Sequence, residues 1–282
     1  MTTLAVSNIA WSYSNRLDAY AILRDNGFSG LEVAPGLLFA EETDPFAPSA
    51  AGVDARLAEL ERAGLRLVSM QSLLFGVEGA EVFGPPAAVE RLKAGLTRAI
   101  LLAGRLAIPN LVFGSPRQRV VPPGFSVEDQ VQRMRAVFAP LGDLAAANGT
   151  VLAMEPNPAE YGTNFMTNLP ATLDMVKAID HPAVTLNFDL GALHMTGAVD
   201  KIESYIAASA PHLSHVHLSA PFLGPAPTSA EEAARVLRSL AGIGYAGAVS
   251  IEMKAVAEDE LGAVAAAAAR LRSALPSGGA AE

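Results

Sequence analysis

The chain has 282 residues, 51% of them hydrophobic, which is enough to bury a large core in one α/β barrel or two smaller domains. A net charge of −9 and the lack of a basic cluster beyond "PRQR" at 116–119 exclude nucleic acid as a partner. With no cysteine, disulfides and thiolate metal sites are excluded, so any metal must be held by His, Asp and Glu.

The N-terminal segment "MTTLAVSNIAWSYSNR" has no basic start, and its apolar run is too short for a signal peptide. Its run 4–11 predicts a first strand ending at Trp11, an aromatic suited either to stacking on a ligand or to capping a barrel. "RLDAYAILRDNG" follows as a helix closed by Asn-Gly. "GLEVAP" (30–35) predicts strand two, with Glu32 pointing toward the mouth as a candidate for binding substrate hydroxyls. After the helix "VDARLAELERAG" comes strand three, "RLVSMQSLLF" (66–75), where Gln71 is placed to bind hydroxyl groups. The long helix "AAVERLKAGLTRAILLAGRLAI" leads to strand four, "PNLVFGSP" (109–116). Arg117 stands just past it as a candidate anion holder.

The next helix opens on a Ser-x-x-Asp cap, carries Pro140 as an expected kink or break, and ends in Asn-Gly. "TVLAMEPNP" (150–158) predicts strand five, ending in Glu155, with Tyr161 and Asn164 in the long loop beyond it as candidates for covering the ligand. "LPATLDMVKAID" is helical. "VTLNFDLG" (184–191) predicts strand six, ending in Asp189 and followed by His194. After "VDKIESYIAASA", strand seven, "LSHVHLSAP" (213–221), carries His215 and His217 and is expected to end at His217. "TSAEEAARVLRSLAGIG" is helical, "AVSIEMK" (248–254) predicts strand eight ending in Glu252, and an Ala-rich helix closes the fold.

Most of these strands are nearly continuous in apolar residues, as parallel strands covered on both faces are. Eight β/α units without a linker predict a (β/α)8 barrel as a single domain over 1–275, with a flexible tail at 276–282. An open doubly wound sheet is the alternative, but the first strand leads into "WSYSNR" and not into a glycine-rich phosphate loop.

Glu155, Asp189, His217 and Glu252 each end a late strand. They are spaced by 34, 28 and 35 residues (155 to 189, 189 to 217, 217 to 252), about one β/α unit each time. In a barrel these ends converge on one mouth. Singly, a carboxylate at a strand end is commonly a helix cap, and a strand histidine is commonly a core residue. Four in register predict a metal site, because three carboxylates converging without a cation would be costly. Oxygen and nitrogen donors suit Mn²⁺ first, with Mg²⁺ or Co²⁺ as alternatives. His215, one layer deeper than His217 on the same face, is the supporting or substrate-side member of the pair.

At these residues the chain resembles the sugar phosphate isomerase/epimerase branch of the xylose-isomerase-like TIM barrels, relatives of the ketose 3-epimerases and hydroxypyruvate isomerases. The motifs that carry the resemblance are Glu…Asp…His-x-His…Glu, "MEPNPAEYGTNFMTN" and "VFGSPRQR". It implies an isomerase or epimerase of carbohydrate metabolism that acts on a sugar, keto-sugar or sugar phosphate and moves a proton through a metal-stabilised enediolate. Glu155 and Glu252 would be its catalytic acid and base. A dehydratase acting on a related keto-polyol and a non-catalytic sugar-binding protein are the alternatives. Two positions depart from the ketose epimerases. Ala192 stands where they place a substrate-binding His, leaving His194 as the nearest substitute, and Leu223 stands where they place an Arg. The N-terminus, together with a last apolar tract that is Ala-rich and interrupted by Arg, leads us to expect a soluble cytoplasmic protein with no membrane partner; a small sugar substrate and a homo-oligomer, dimer or tetramer, are the expected partners.

Overall fold

Residues 2–275 are described by the structure, a computed structural model; the tail at 276–282 lies outside the described residues. Eight strands pair in parallel, each with the next, and β8 pairs with β1 to close the barrel. They are β1 (Thr3–Ser7), β2 (Gly30–Val33), β3 (Arg66–Met70), β4 (Asn110–Phe113), β5 (Val151–Met154), β6 (Val184–Asp189), β7 (Leu213–Ser219) and β8 (Ala248–Glu252). The helices are α1 (Arg16–Asp25), α2 (Pro35–Leu38), α3 (Ala50–Arg62), α4 (Pro86–Leu106), α5 (Val127–Ala147), α6 (Leu169–Ile179), α7 (Leu190–Met195), α8 (Ile202–Ser209), α9 (Ala230–Gly242) and α10 (Glu260–Ser273). The short α2 and α7 follow β2 and β6 directly, and each β/α unit has one longer helix besides.

Almost every strand residue is buried, because helices cover the outer face and side chains fill the interior. One contact shows how the layers join. Phe138 of α5 lies on Phe113 of β4 with ring centroids 5.0 Å apart, and both are fully buried. Truncating such a ring typically costs ~3–5 kcal/mol. The expected cap of α5 is present in both directions: the Asp129 N–H donates to Ser126 Oγ (3.1 Å), and the Ser126 N–H donates to Asp129 Oδ2 (3.0 Å). No described helix is long and apolar enough to cross a membrane.

Three local expectations differ from the structure. The strands are shorter at their outer ends than the apolar runs suggest, since residues such as Leu73 and Leu74 bury themselves in the loops of the mouth. Strand seven runs the other way, continuing two residues past His217 to Ser219, where it still pairs with Glu252 of β8. Pro140 neither breaks nor ends α5; it sits on the exposed side, where water can satisfy the carbonyl it leaves without a partner.

Candidate metal centre

The barrel register brings the four predicted ligands together. Asp189 of β6 is opposite His217 of β7, and Glu252 ends β8 two residues beyond His217's partner Ser250. Glu155 follows β5 directly. One donor atom from each of the four lies within 4.8 Å of the other three, and all four residues are buried. His217 Nδ1 faces the group, 2.9 Å from Glu155 Oε1, 3.3 Å from Glu252 Oε2 and 3.7 Å from Asp189 Oδ2.

The surroundings fix these groups. Asp189 caps α7: its Oδ1 accepts from the Ala192 N–H (2.5 Å) and its Oδ2 from the Ser219 hydroxyl (2.8 Å). Glu155 accepts from Asn187 Nδ2 at Oε1 (2.8 Å) and from Asn157 Nδ2 at Oε2 (3.0 Å). Gly114, just after β4, leaves room for that carboxylate, since a Cβ there would stand 2.5 Å from Glu155 Oε2. Behind Asn157 lies Arg119, a fully buried guanidinium donating to the Glu155 carbonyl (2.8 Å) and to Asn157 Oδ1 (2.9 Å). Burial pulls its pKa down to about 9 against the pull of Glu155.

The electrostatics are those of a crowded acidic cluster. Burial acts to lower the pKa of His217, but Glu252, Glu32, Asp189 and Glu155 outweigh it and hold the imidazole well above its ordinary value. Burial also acts to raise Glu155, yet His217, Asn157 and Arg119 hold it low. Asp189 is raised by burial and by Glu155. Glu252 is pushed up to about 7, by burial first and then by Glu155 and Asp189, with His217 opposing. A proton on His217 offsets part of the charge of the three carboxylates. A divalent cation would do the same more completely, and the hard oxygen and nitrogen donors around one point fit such an ion.

Glu32 and His215 stand beneath this layer. Glu32 Oε2 is 3.0 Å from His217 Nε2 and 2.8 Å from His215 Nε2. The nearby Ser250 hydroxyl is 3.1 Å from the same His215 nitrogen. Glu32 Oε1 accepts from Gln71 Nε2 (2.9 Å). Glu32, His215 and His217 could together hold an ion by proximity alone. Neither Glu32 nor His215 borders the cavity above, and their polar atoms are engaged with one another.

That cavity measures about 350 Å³ and opens at the C-terminal ends of the strands, with Glu155, Asp189 and Glu252 in its floor. Of the residues expected to touch a substrate, Gln71 and Tyr161 line it. Tyr161 Oη accepts from the Phe222 N–H (2.9 Å), and the two rings meet edge to face. The others lie elsewhere. Trp11 follows a turn after β1 and is buried against Tyr20, so it is a core aromatic here. Glu32 points into the barrel's interior because the side chain follows the inward side of β2. Arg117 is exposed outside the cavity. Asn164 is exposed and closes a pair of hydrogen bonds with the Val121 backbone, tying two mouth loops together. His194 is held by Glu232 (3.0 Å) away from the opening. His215 is in the lower layer.

Arg119, Asn157, Asn187 and Ser219 were not among the expected residues. All but Arg119 stand two positions from a ligand; Asn187 and Ser219 do so on β6 and β7, where residues two apart share a face, whereas Asn157 lies in the loop after β5.

Comparison with known proteins agrees with this architecture. The family model for xylose isomerase-like TIM barrels matches residues 20–274. No curated protein matches the chain. Among solved structures, 3-keto-D-glucoside 4-epimerase from E. coli superposes with a TM-score of 0.77 at 18% identity, over 97% of this chain and 100% of that one. L-ribulose 3-epimerase gives 0.74 at 20% identity over 97% and 93%. D-allulose 3-epimerase from Methylomonas sp., in complex with D-allulose, gives 0.70 at 21% over 90% and 84%. At these identities the likeness is one of fold.

Proposed function

The chain belongs to the xylose isomerase-like TIM barrel family, and from that membership we propose that it is a divalent-metal-dependent isomerase or epimerase of a sugar or keto-sugar. The observation that carries the reading is the convergence of Glu155, Asp189, His217 and Glu252 under one cavity, with their donor atoms within 4.8 Å. The sugar epimerases among the structural neighbours support it. Mn²⁺ is the first candidate for the ion, since the donors are oxygen and nitrogen without sulfur.

When bound, such an ion supplies positive charge to the carbonyl oxygen of a sugar and so makes the neighbouring C–H bond acidic. Glu155 and Glu252 approach the cavity from β5 and β8, on either side of the strands that bear Asp189 and His217. One carboxylate removes the proton from one face, and the other returns a proton to the opposite face, which inverts the carbon. Return at the adjacent carbon interconverts aldose and ketose. Asn157 and Arg119 hold Glu155 in a single orientation. Asp189 and His217 have the anchoring role.

Deuterium incorporation tests this directly. The Mn²⁺-loaded protein in D₂O should label the carbon next to the carbonyl of its sugar. Glu155→Gln and Glu252→Gln should each abolish net conversion, one of them retaining exchange at a single face. Turnover with no isotope entering the sugar would refute two-carboxylate proton transfer. An ultraviolet-absorbing unsaturated product would move the reaction to a dehydratase.

A further inference from the structure

We infer that the mouth cavity is built for an uncharged sugar, a ketose or keto-glycoside without phosphate or carboxylate; the inference rests on the sugar-enzyme reading above and narrows its substrate.

Three observations carry it. The first is the lining. Among the described residues no Lys, Arg or exposed His borders the cavity, and its charged members are Glu155, Asp189 and Glu252. Arg117 and Lys254, which flank lining segments in sequence, are exposed and stand outside it. The second is the balance of charge in and directly beneath the floor. Four carboxylates (Glu32, Glu155, Asp189 and Glu252) are set against one buried guanidinium, Arg119, and a divalent ion. That leaves one negative charge in excess, and Arg119 has its Nη atoms committed to the Glu155 carbonyl and Asn157. A phosphate dianion entering here would lose its hydration and meet no compensating cation. The third is the character of the outer wall. Leu74, Phe75, Pro116 and Leu223 alternate there with Ser72, Ser115, Gln118 and Tyr161, whose hydroxyl, amide and phenol groups are uncharged, and Phe75 is 60% exposed. Several polar atoms near the floor are already engaged: Gln71 Nε2 donates to Ser7 and Glu32, and the Ser219 hydroxyl serves Asp189 and Gly191. Phosphate sites rely on charge-assisted donors; this wall offers only uncharged ones, suited to hydroxyl groups, beside an apolar surface for the carbon face of a neutral ring.

The test pairs each sugar with its own phosphate: D-fructose with D-fructose 6-phosphate, and D-ribulose with D-ribulose 5-phosphate, with methyl 3-keto-D-glucoside as a further neutral probe. Binding to the Mn²⁺-loaded protein is measured by calorimetry, and deuterium exchange is followed in parallel. At least one neutral sugar should bind, and its phosphorylated partner should bind about 100-fold more weakly or not at all, the penalty expected for an uncompensated buried charge. Arg117→Ala and Lys254→Ala should leave the neutral sugar's affinity unchanged. Gln118→Arg, which puts a cation on the wall, should raise affinity for the phosphorylated partner by about tenfold. Equal or tighter binding of a phosphorylated sugar overturns the inference, as does failure of every neutral probe to bind. Binding of a neutral sugar without isotope exchange leaves the inference standing and removes the proton-transfer reading instead.

Discussion

His217 has separate work for its two ring nitrogens. Nδ1 faces Glu155, Asp189 and Glu252, while Nε2 rests on Glu32. With Nε2–H donating to the Glu32 carboxylate, Nδ1 keeps its lone pair for an ion, and the carboxylate makes that lone pair more basic. Burial acts to raise Glu32, but His217 and His215 hold it well below the ordinary carboxylate range, so it is ionised and able to accept both hydrogen bonds. Glu32→Gln should therefore weaken Mn²⁺ binding by about 10–100-fold, the range for lost supporting partners, as read by electron paramagnetic resonance of the free ion. Unchanged affinity would reduce Glu32 to a space-filling role. The same cluster predicts the sign of the pH effect. Protons on His217, held well above its ordinary value, and on Glu252, pushed up to about 7, must leave before an ion can enter. Mn²⁺ affinity should rise from pH 6 to pH 8, with at least about one proton released per ion in an unbuffered titration. A flat profile over that range would contradict the cluster as the binding site.

Among the elements, β6 and α7 show a single residue shaping both backbone and site. Asp189 ends the strand, caps the helix through its Oδ1, and turns its Oδ2 toward Ser219 and His217. Asn caps a helix about as well as Asp, whereas Ala does not. Metal-stripped Asp189→Asn should thus melt above metal-stripped Asp189→Ala, by an amount equivalent to about 1 kcal/mol. Both should lose the ion. Equal melting temperatures for the two variants would show that the cap contributes nothing. The elements also show where sequence patterning reads well and where it overshoots. Apolar runs locate all eight strands, because parallel strands buried on both faces are predominantly apolar, with polar residues such as Asn187 and His215 turned into the barrel interior. The same runs extend past the strands at the mouth, since Leu73, Leu74 and Trp11 are buried in loops and turns that carry no strand periodicity.

Across the whole molecule, what was legible is what repeats once per β/α unit. The closed order of the barrel makes equal spacing in sequence into proximity in space, and so Glu155, Asp189, His217 and Glu252 could be grouped before any coordinates. Residues that act through long-range contacts could not. Nothing local distinguishes Arg119, buried behind Glu155, from the exposed Arg117 two positions earlier. Glu32 is opposite Ser7 and Ser69 in the barrel, and only closure brings it under a histidine 185 residues away. On the proposed function an ion is held in the upper layer, by the four strand-end residues, and not in the lower layer of Glu32 and His215. Titration of Mn²⁺ into metal-stripped protein tests it most directly. The four-residue centre predicts one tightly held ion per chain, lost in Asp189→Asn and retained, more weakly, in His215→Ala. Retention in Asp189→Asn together with loss in His215→Ala would place the ion in the lower layer and contradict the account.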